Sequence, residues 1–182
     1  TRRNKTMRTA KHSFFFLLVL AGSLFSSQIK AQETDYKAYT LFVYNFMKYI
    51  EWPETSSKGD FVVGVMGDSP IISELQTLAK TKKNKGRNII IKKISTADEA
   101  MDCHLVYITP GKSSSLKVIK EKVKGRPVLL VGEREGLADK GAALSFVTLE
   151  DDILKFDINK SEIDKQNLKI PSSLMALGIT VH

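Results

Sequence analysis

Apolar positions recur along residues 35–52 at three- and four-residue intervals. Tyr39, Val43, Phe46 and Ile50 form one stripe with Ala38, Phe42 and Met47 beside it, while Lys37, Tyr44, Lys48 and Glu51 fall on the other side. That spacing predicts an amphipathic helix, ended by Pro53 because a proline pushes the residue before it out of helical space. The pattern then changes. Residues 61–67, FVVGVMG, are almost continuously apolar and finish in a turn, which suits a strand buried on both faces. Ser69 and Pro70 are placed to start a second helix, with Ile71, Ile72, Leu75, Leu78 and Ala79 on its inner side. Further strands are predicted at 88–94, 105–109 and 128–132, with a helix over 113–123, capped by Ser113 or Ser114, between the last two.

Strand and helix alternate as far as residue 132, which calls for crossover connections and a largely parallel central sheet with helices on both faces. The last third departs from this. Residues 143–149 and 153–159 read as strands around the acidic turn Glu150, Asp151, Asp152, so a C-terminal antiparallel hairpin should join the sheet edge, with a short helix over 171–177 to finish. No repeat or linker interrupts residues 32–182, and the expectation is a single α/β domain of a size that supports an ordinary core.

The first 31 residues follow a different logic. Arg2, Arg3, Lys5, Arg8 and Lys11 precede the apolar run Phe14, Phe15, Phe16, Leu17, Leu18, Val19, Leu20, Ala21, and small and polar residues lead to Ala31. These are the three regions of a secretory signal peptide, with Gln32 the expected mature start. The uncharged stretch 13–25 is short of the roughly 20 apolar residues that span a bilayer, so cleavage is expected over anchoring. Ser23 stands where a lipoprotein signal would carry cysteine. A mature protein without a membrane anchor, in the periplasm of a Gram-negative type of cell, is the expectation.

Composition changes the picture once this segment is set aside. The chain carries 28 Lys and Arg against 20 Asp and Glu, a net charge of +8. Six of those cations and none of the acids lie in residues 1–31, leaving 22 against 20 and a balance of +2. A nucleic-acid partner is not expected at that charge. The basic run Lys80, Lys82, Lys83, Lys85, Arg87 reads first as cations complementing a helix C-terminus.

Candidate chemistry is sparse. Cys103, the lone cysteine, adjoins an apolar run and is expected to be buried; no intrachain bridge is available to it, which leaves an interchain disulfide as the alternative. Its neighbour His104 looks like a base for the thiol, but adjacent strand residues point to opposite faces. No metal site and no cofactor are expected from three scattered histidines and one cysteine. Two strand-to-helix loops invite an anion, yet neither Gly64, Val65, Met66, Gly67, Asp68 nor Gly111, Lys112, Ser113 meets the spacing of a nucleotide loop. The strand ends Gly67, Asp68, Thr109, Gly132 and Glu133 should nevertheless converge on one side of the sheet, where open α/β folds hold their ligands.

Six segments in order carry a resemblance: TLFVYNFMKYIEWP, FVVGVMGDSP, the pair Gly86 and Arg87, CHLVYI, PVLLVGEREGLADKGAALSFV and LKFDIN. Together, from Tyr36 to Ala176, they resemble the YfiR family of periplasmic proteins. The resemblance implies a non-catalytic regulator that binds and inhibits the periplasmic sensor region of an inner-membrane diguanylate cyclase, so that its release raises cyclic di-GMP and promotes biofilm. A membrane histidine kinase as partner, and a homodimer, are also implied as options. The family's best-known type uses disulfides, and Cys103 has no second cysteine to match. Tyr44, Tyr49 and Trp52 are the candidate partner-binding residues, with Tyr44 favoured because it falls on the polar side of the helix. A small-ligand-binding sensor domain feeding a histidine kinase or transporter is the alternative, using the strand ends.

Overall fold

The computed structural model describes residues 34–181. The expected signal segment lies outside them. Helix α1 (Tyr36–Tyr49) begins where the Asp35 carboxylate accepts the backbone N–H of Lys37 and Ala38, and it buries Val43, Phe46 and Met47 completely. It stops three residues before the expected end. Ile50 is already extended, Glu51 forms a two-residue antiparallel bridge with Lys169, and Trp52 is held by its indole nitrogen. Tertiary bonds end this helix before Pro53 acts.

Strand β1 (Phe61–Met66), helix α2 (Ile71–Thr81), β2 (Ile89–Ile94) and β3 (Leu105–Ile108) follow the predicted order. Ser69 Oγ accepts the Ile71 N–H, as the capping pattern suggested. The next segment differs. Residues Pro110–Ser115 wind as a 3-10 helix before α3 (Leu116–Lys122), and the Ser113 hydroxyl donates back to the Pro110 carbonyl instead of capping. Then come β4 (Leu129–Gly132), β5 (Leu144–Thr148), β6 (Leu154–Ile158), α4 (Lys160–Lys165), α5 (Ser172–Met175) and the short β7 (Ile179–Thr180).

The strands lie in the order β2-β1-β3-β4-β5-β6-β7, parallel from β2 through β5, with β6 antiparallel to β5 and β7 parallel to β6. The predicted hairpin is therefore β5–β6, and β7 supplies an edge that the sequence pattern did not show. Strand alternation divides the interior into two cores. Phe61, Val63, Val65, Leu105, Tyr107, Leu129 and Val131 face α1 and α2, while Met66, Val106, Ile108 and Leu130 face α3. On the first face the rings of Phe42, Phe46, Phe146 and Phe156 meet at centroid distances of 4.9–6.3 Å. On the second, Gly64 leaves a gap that the Cys103 sulfur fills: a Cβ on Gly64 would sit 2.6 Å from Sγ.

Because β1 feeds β2 on one side and β3 on the other, the chain changes direction between β1 and β3. Helix α1 crosses the first face with Phe42 and Phe46 against Phe146 of β5 and Phe156 of β6. Its first residue stands at the carboxyl ends of the strands, beside Glu133, and Trp52 beyond its last turn reaches the amino ends, at His104 and Pro127.

Candidate functional site

At the amino ends of β1 and β3 the polar groups knot together. Arg87 donates from Nε and both Nη atoms to the carbonyls of Ser56, Lys58, Gly59 and Asp60 at 2.7–3.2 Å, and its guanidinium lies over the Phe61 ring at 5.4 Å. It is not a solvated helix-end cation but the clamp that shapes residues 56–60. His104 stacks on Phe61, and its Nδ1 accepts the Val62 N–H at 3.1 Å. That assigns the ring proton to Nε2, 3.2 Å from the Ser56 carbonyl, with the Arg87 Nη2 a further 2.9 Å neighbour. Burial pushes the imidazole pKa down, the Arg87 charge adds to this, and the Ser56 carbonyl opposes it. Both ring nitrogens are engaged, so His104 is a neutral structural group.

Cys103 points away from this knot into the second core. It is 5 % exposed, its thiol faces the Glu99 carbonyl at 3.4 Å, and burial pushes it up to about 11. An interchain disulfide through Cys103 would require that core to open.

The three aromatic candidates part company. Trp52 donates its indole N–H to the carbonyls of Pro127 (3.0 Å) and His104 (3.3 Å) and meets Phe61 edge to face. Tyr44 is half-buried against the first core and donates to the Lys83 carbonyl, because the segment after α2 covers the side that the helical pattern left polar. The favoured candidate is thus occupied. Tyr49 is the exposed one, 43 % accessible with the Lys48 ammonium 5.0 Å from its ring centre.

At the opposite end, the register places Met66, Ile108 and Gly132 side by side, so Gly67, Thr109 and Glu133 follow in one row. The sequence-derived set is brought together, but most of its members have other work. Gly67 adopts φ +93° and lies so close to Thr109 and Lys112 that a side chain would collide with both. Gly132 makes room for Leu137, whose Cβ would be 2.7 Å from an added methyl. The Thr109 hydroxyl donates to the Met66 carbonyl at 2.8 Å, and Asp68 is exposed and paired with Lys93.

Glu133 remains. It is 8 % exposed, and the Tyr36 hydroxyl donates to its Oε1 at 2.9 Å. Its second oxygen faces the hydroxyl of fully buried Tyr107, so the carboxyl group is held between two phenols. Burial raises the carboxyl pKa, with the two hydroxyls pulling the other way. Tyr36, Tyr39 and Tyr107 were not singled out by the sequence, where they read as apolar-face residues; the signal available was a polar-tipped ring one residue inside each strand or helix end beside an acid.

A third feature is a cleft of about 420 Å³ between α3 and α4, lined by residues including Lys120, Lys124, Glu162, Lys165 and Gln166. Glu162 already engages Lys120 at 3.0 Å and Lys165 at 2.8 Å. Among the described residues no group of three His, Cys, Asp or Glu side chains could hold a metal ion.

A family model described as YfiR/HmsC-like matches residues 36–179, from the first residue of α1 into β7. The chain belongs to the YfiR/HmsC-like family. No curated protein sequence matches it. The YfiR/HmsC-like proteins are periplasmic, non-catalytic regulators in cyclic di-GMP signalling that act with a membrane sensor protein. The match spans both ends of the sheet, the Arg87–His104 knot and the Glu133 row alike. No helix among the described residues is long and apolar enough to cross a membrane.

Proposed function

We propose that this protein binds the periplasmic sensor region of an inner-membrane diguanylate cyclase and holds that cyclase inactive, lowering cyclic di-GMP and restraining biofilm. Membership of the YfiR/HmsC-like family carries the reading. The expected export signal supports it, since it places the domain on the same side of the membrane as a sensor region. Tyr49 is the contact residue of choice: an exposed aromatic beside a lysine on the outer side of α1, with exposed Leu41 two turns earlier on the same helix. Trp52 and Tyr44 act behind it, by fixing the end and the flank of the helix that presents Tyr49.

The test has two arms. Deletion of the gene should raise cyclic di-GMP and biofilm, and the mature protein should co-purify with a membrane sensor whose capture weakens on Tyr49→Ala. Unchanged nucleotide levels together with no captured sensor would sink the reading. The row of strand carboxyl ends at Gly67, Thr109 and Glu133, the usual ligand position of open α/β sheets, favours a second reading beside the first, a small-ligand sensor domain that feeds a membrane histidine kinase or transporter.

A further inference from the structure

Charge is unevenly shared along the domain. Residues 75–97 carry seven of the 22 lysines and arginines of residues 32–182 and none of the 20 acids, so the remainder holds 15 cations against 20 acids. Five of the seven stand in the last turn of α2 or just after it. A helix dipole acts within the last turn and accounts for Lys80, but Lys82 is already extended, and Lys83 and Lys85 lie beyond it. Arg87 is occupied by carbonyls and Lys93 by Asp68. Lys80, Lys82, Lys83, Lys85 and Lys92 are exposed and enter no ion pair among the described residues. The basic stretch on α3 differs, because Lys120 pairs with Glu162, Lys122 pairs with Asp98, and Glu121 stands between them.

We propose that residues 80–85, with the outer side of α1 beside them, form a surface that rests on anionic phospholipid headgroups. The Tyr44 hydroxyl donates to the Lys83 carbonyl, which draws this segment against α1, where Leu41, Lys48 and Tyr49 are exposed. Ammonium groups around an apolar side chain and a phenol suit the headgroup boundary of a bilayer. The kind of cation favours lipid over protein. Recognition of a fixed carboxylate draws on the planar fork of arginine, and protein interfaces are depleted in lysine. Here the one arginine of the run is bound to residues 56–60, and the groups that face outward are point charges on flexible stems, which can follow mobile phosphates.

The surface is independent of the docking reading: vesicle binding requires no sensor protein, and the variants that test it keep Tyr49. The mature protein is sedimented with vesicles of phosphatidylcholine alone, and with vesicles in which phosphatidylglycerol replaces a third of it. It should bind the second kind and not the first, and it should be released at about 1 M salt, where the screening length falls to ~3 Å. Lys82→Gln, Lys83→Gln and Lys85→Gln combined should weaken binding on the order of a hundredfold, because each lysine near an anionic surface contributes about fivefold. Lys117→Gln, Lys124→Gln and Lys140→Gln combined remove the same charge elsewhere and should weaken it by no more than about threefold. The proposal is overturned if phosphatidylglycerol vesicles carry down no protein, which would assign the lysines to an acidic protein face. It is equally overturned if phosphatidylcholine alone binds as well, if high salt releases nothing, or if the two sets of substitutions weaken binding equally.

Discussion

The two ends of the sheet handle buried polar groups in opposite ways. At the amino ends, Arg87, His104 and Trp52 spend their donors on backbone carbonyls, tying residues 56–60 and the start of β4 to the end of α1. At the carboxyl ends, the buried Glu133 carboxyl meets no cation, only the hydroxyls of Tyr36 and Tyr107. Charge-assisted bonds to many carbonyls fix one arrangement, whereas a buried acid between two phenols keeps a raised pKa. The difference separates an end tied down by a cation from an end whose buried acid titrates against the fold, within one domain and beneath one helix.

Breaking the knot should have the largest effect. Arg87→Ala removes a charged donor from four carbonyls and uncovers Phe61, and a loss of about 3 kcal/mol in denaturant unfolding is expected. A loss below about 0.5 kcal/mol would mean that the loop holds its shape unaided. Next comes overpacking at the other end: Gly132→Ala drives a methyl into Leu137 and should cost about 1–3 kcal/mol, recovered in part by adding Leu137→Ala.

Acidity separates the two ends by sign. His104 is held neutral, so the unfolded chain binds more protons than the folded one, and stability should fall as pH drops through the ordinary histidine value near 6.5. His104→Asn, which keeps an acceptor for the Val62 N–H but cannot titrate, should flatten that slope in pH-dependent unfolding. Glu133 is shifted the other way. Its contribution is fully present below the ordinary carboxyl value near 4.5 and is lost as pH rises through the raised folded value, so Glu133→Gln should gain on the parent toward neutral pH. Parallel slopes for both residues would remove the contrast. The smallest effect is expected at Tyr107→Phe: deleting the hydroxyl that faces Glu133 should cost about 1 kcal/mol in denaturant unfolding and raise the carboxyl pKa further.

The α/β architecture was legible because β1, β3 and β4 are continuous apolar runs set between helical patterns, the mark of strands covered on both sides. What the pattern missed depends on distant contacts. The six residues of α4 are mostly polar, and β7 is two residues long and exists through its pairing with Asp157 and Ile158. Helical periodicity placed Tyr44 outside, and the segment after α2 covers it through Lys83, while Tyr49 is the exposed aromatic. Arg87 looked like one more cation of a basic run because nothing local marks a guanidinium that closes on residues 27–31 positions earlier. At the strand carboxyl ends the row was foreseeable from topology, but the buried acid within it was not: Gly67, Gly132 and Thr109 are consumed by packing and backbone bonds, and the phenol that meets Glu133 is Tyr107 of the neighbouring strand.

The meeting of Cys103 with Gly64 has a consequence for how this sequence can drift. The sulfur occupies the volume that a side chain at position 64 would need, so the two residues share a single allotment of space between β1 and the turn before β3. Gly64→Ala alone is obstructed, whereas Gly64→Ala with Cys103→Ala replaces the sulfur by a methyl and keeps the number of side-chain heavy atoms. Among relatives, the two positions should therefore vary as a pair, and the lone thiol of this protein is better understood as one half of a steric bargain than as a redox group in waiting.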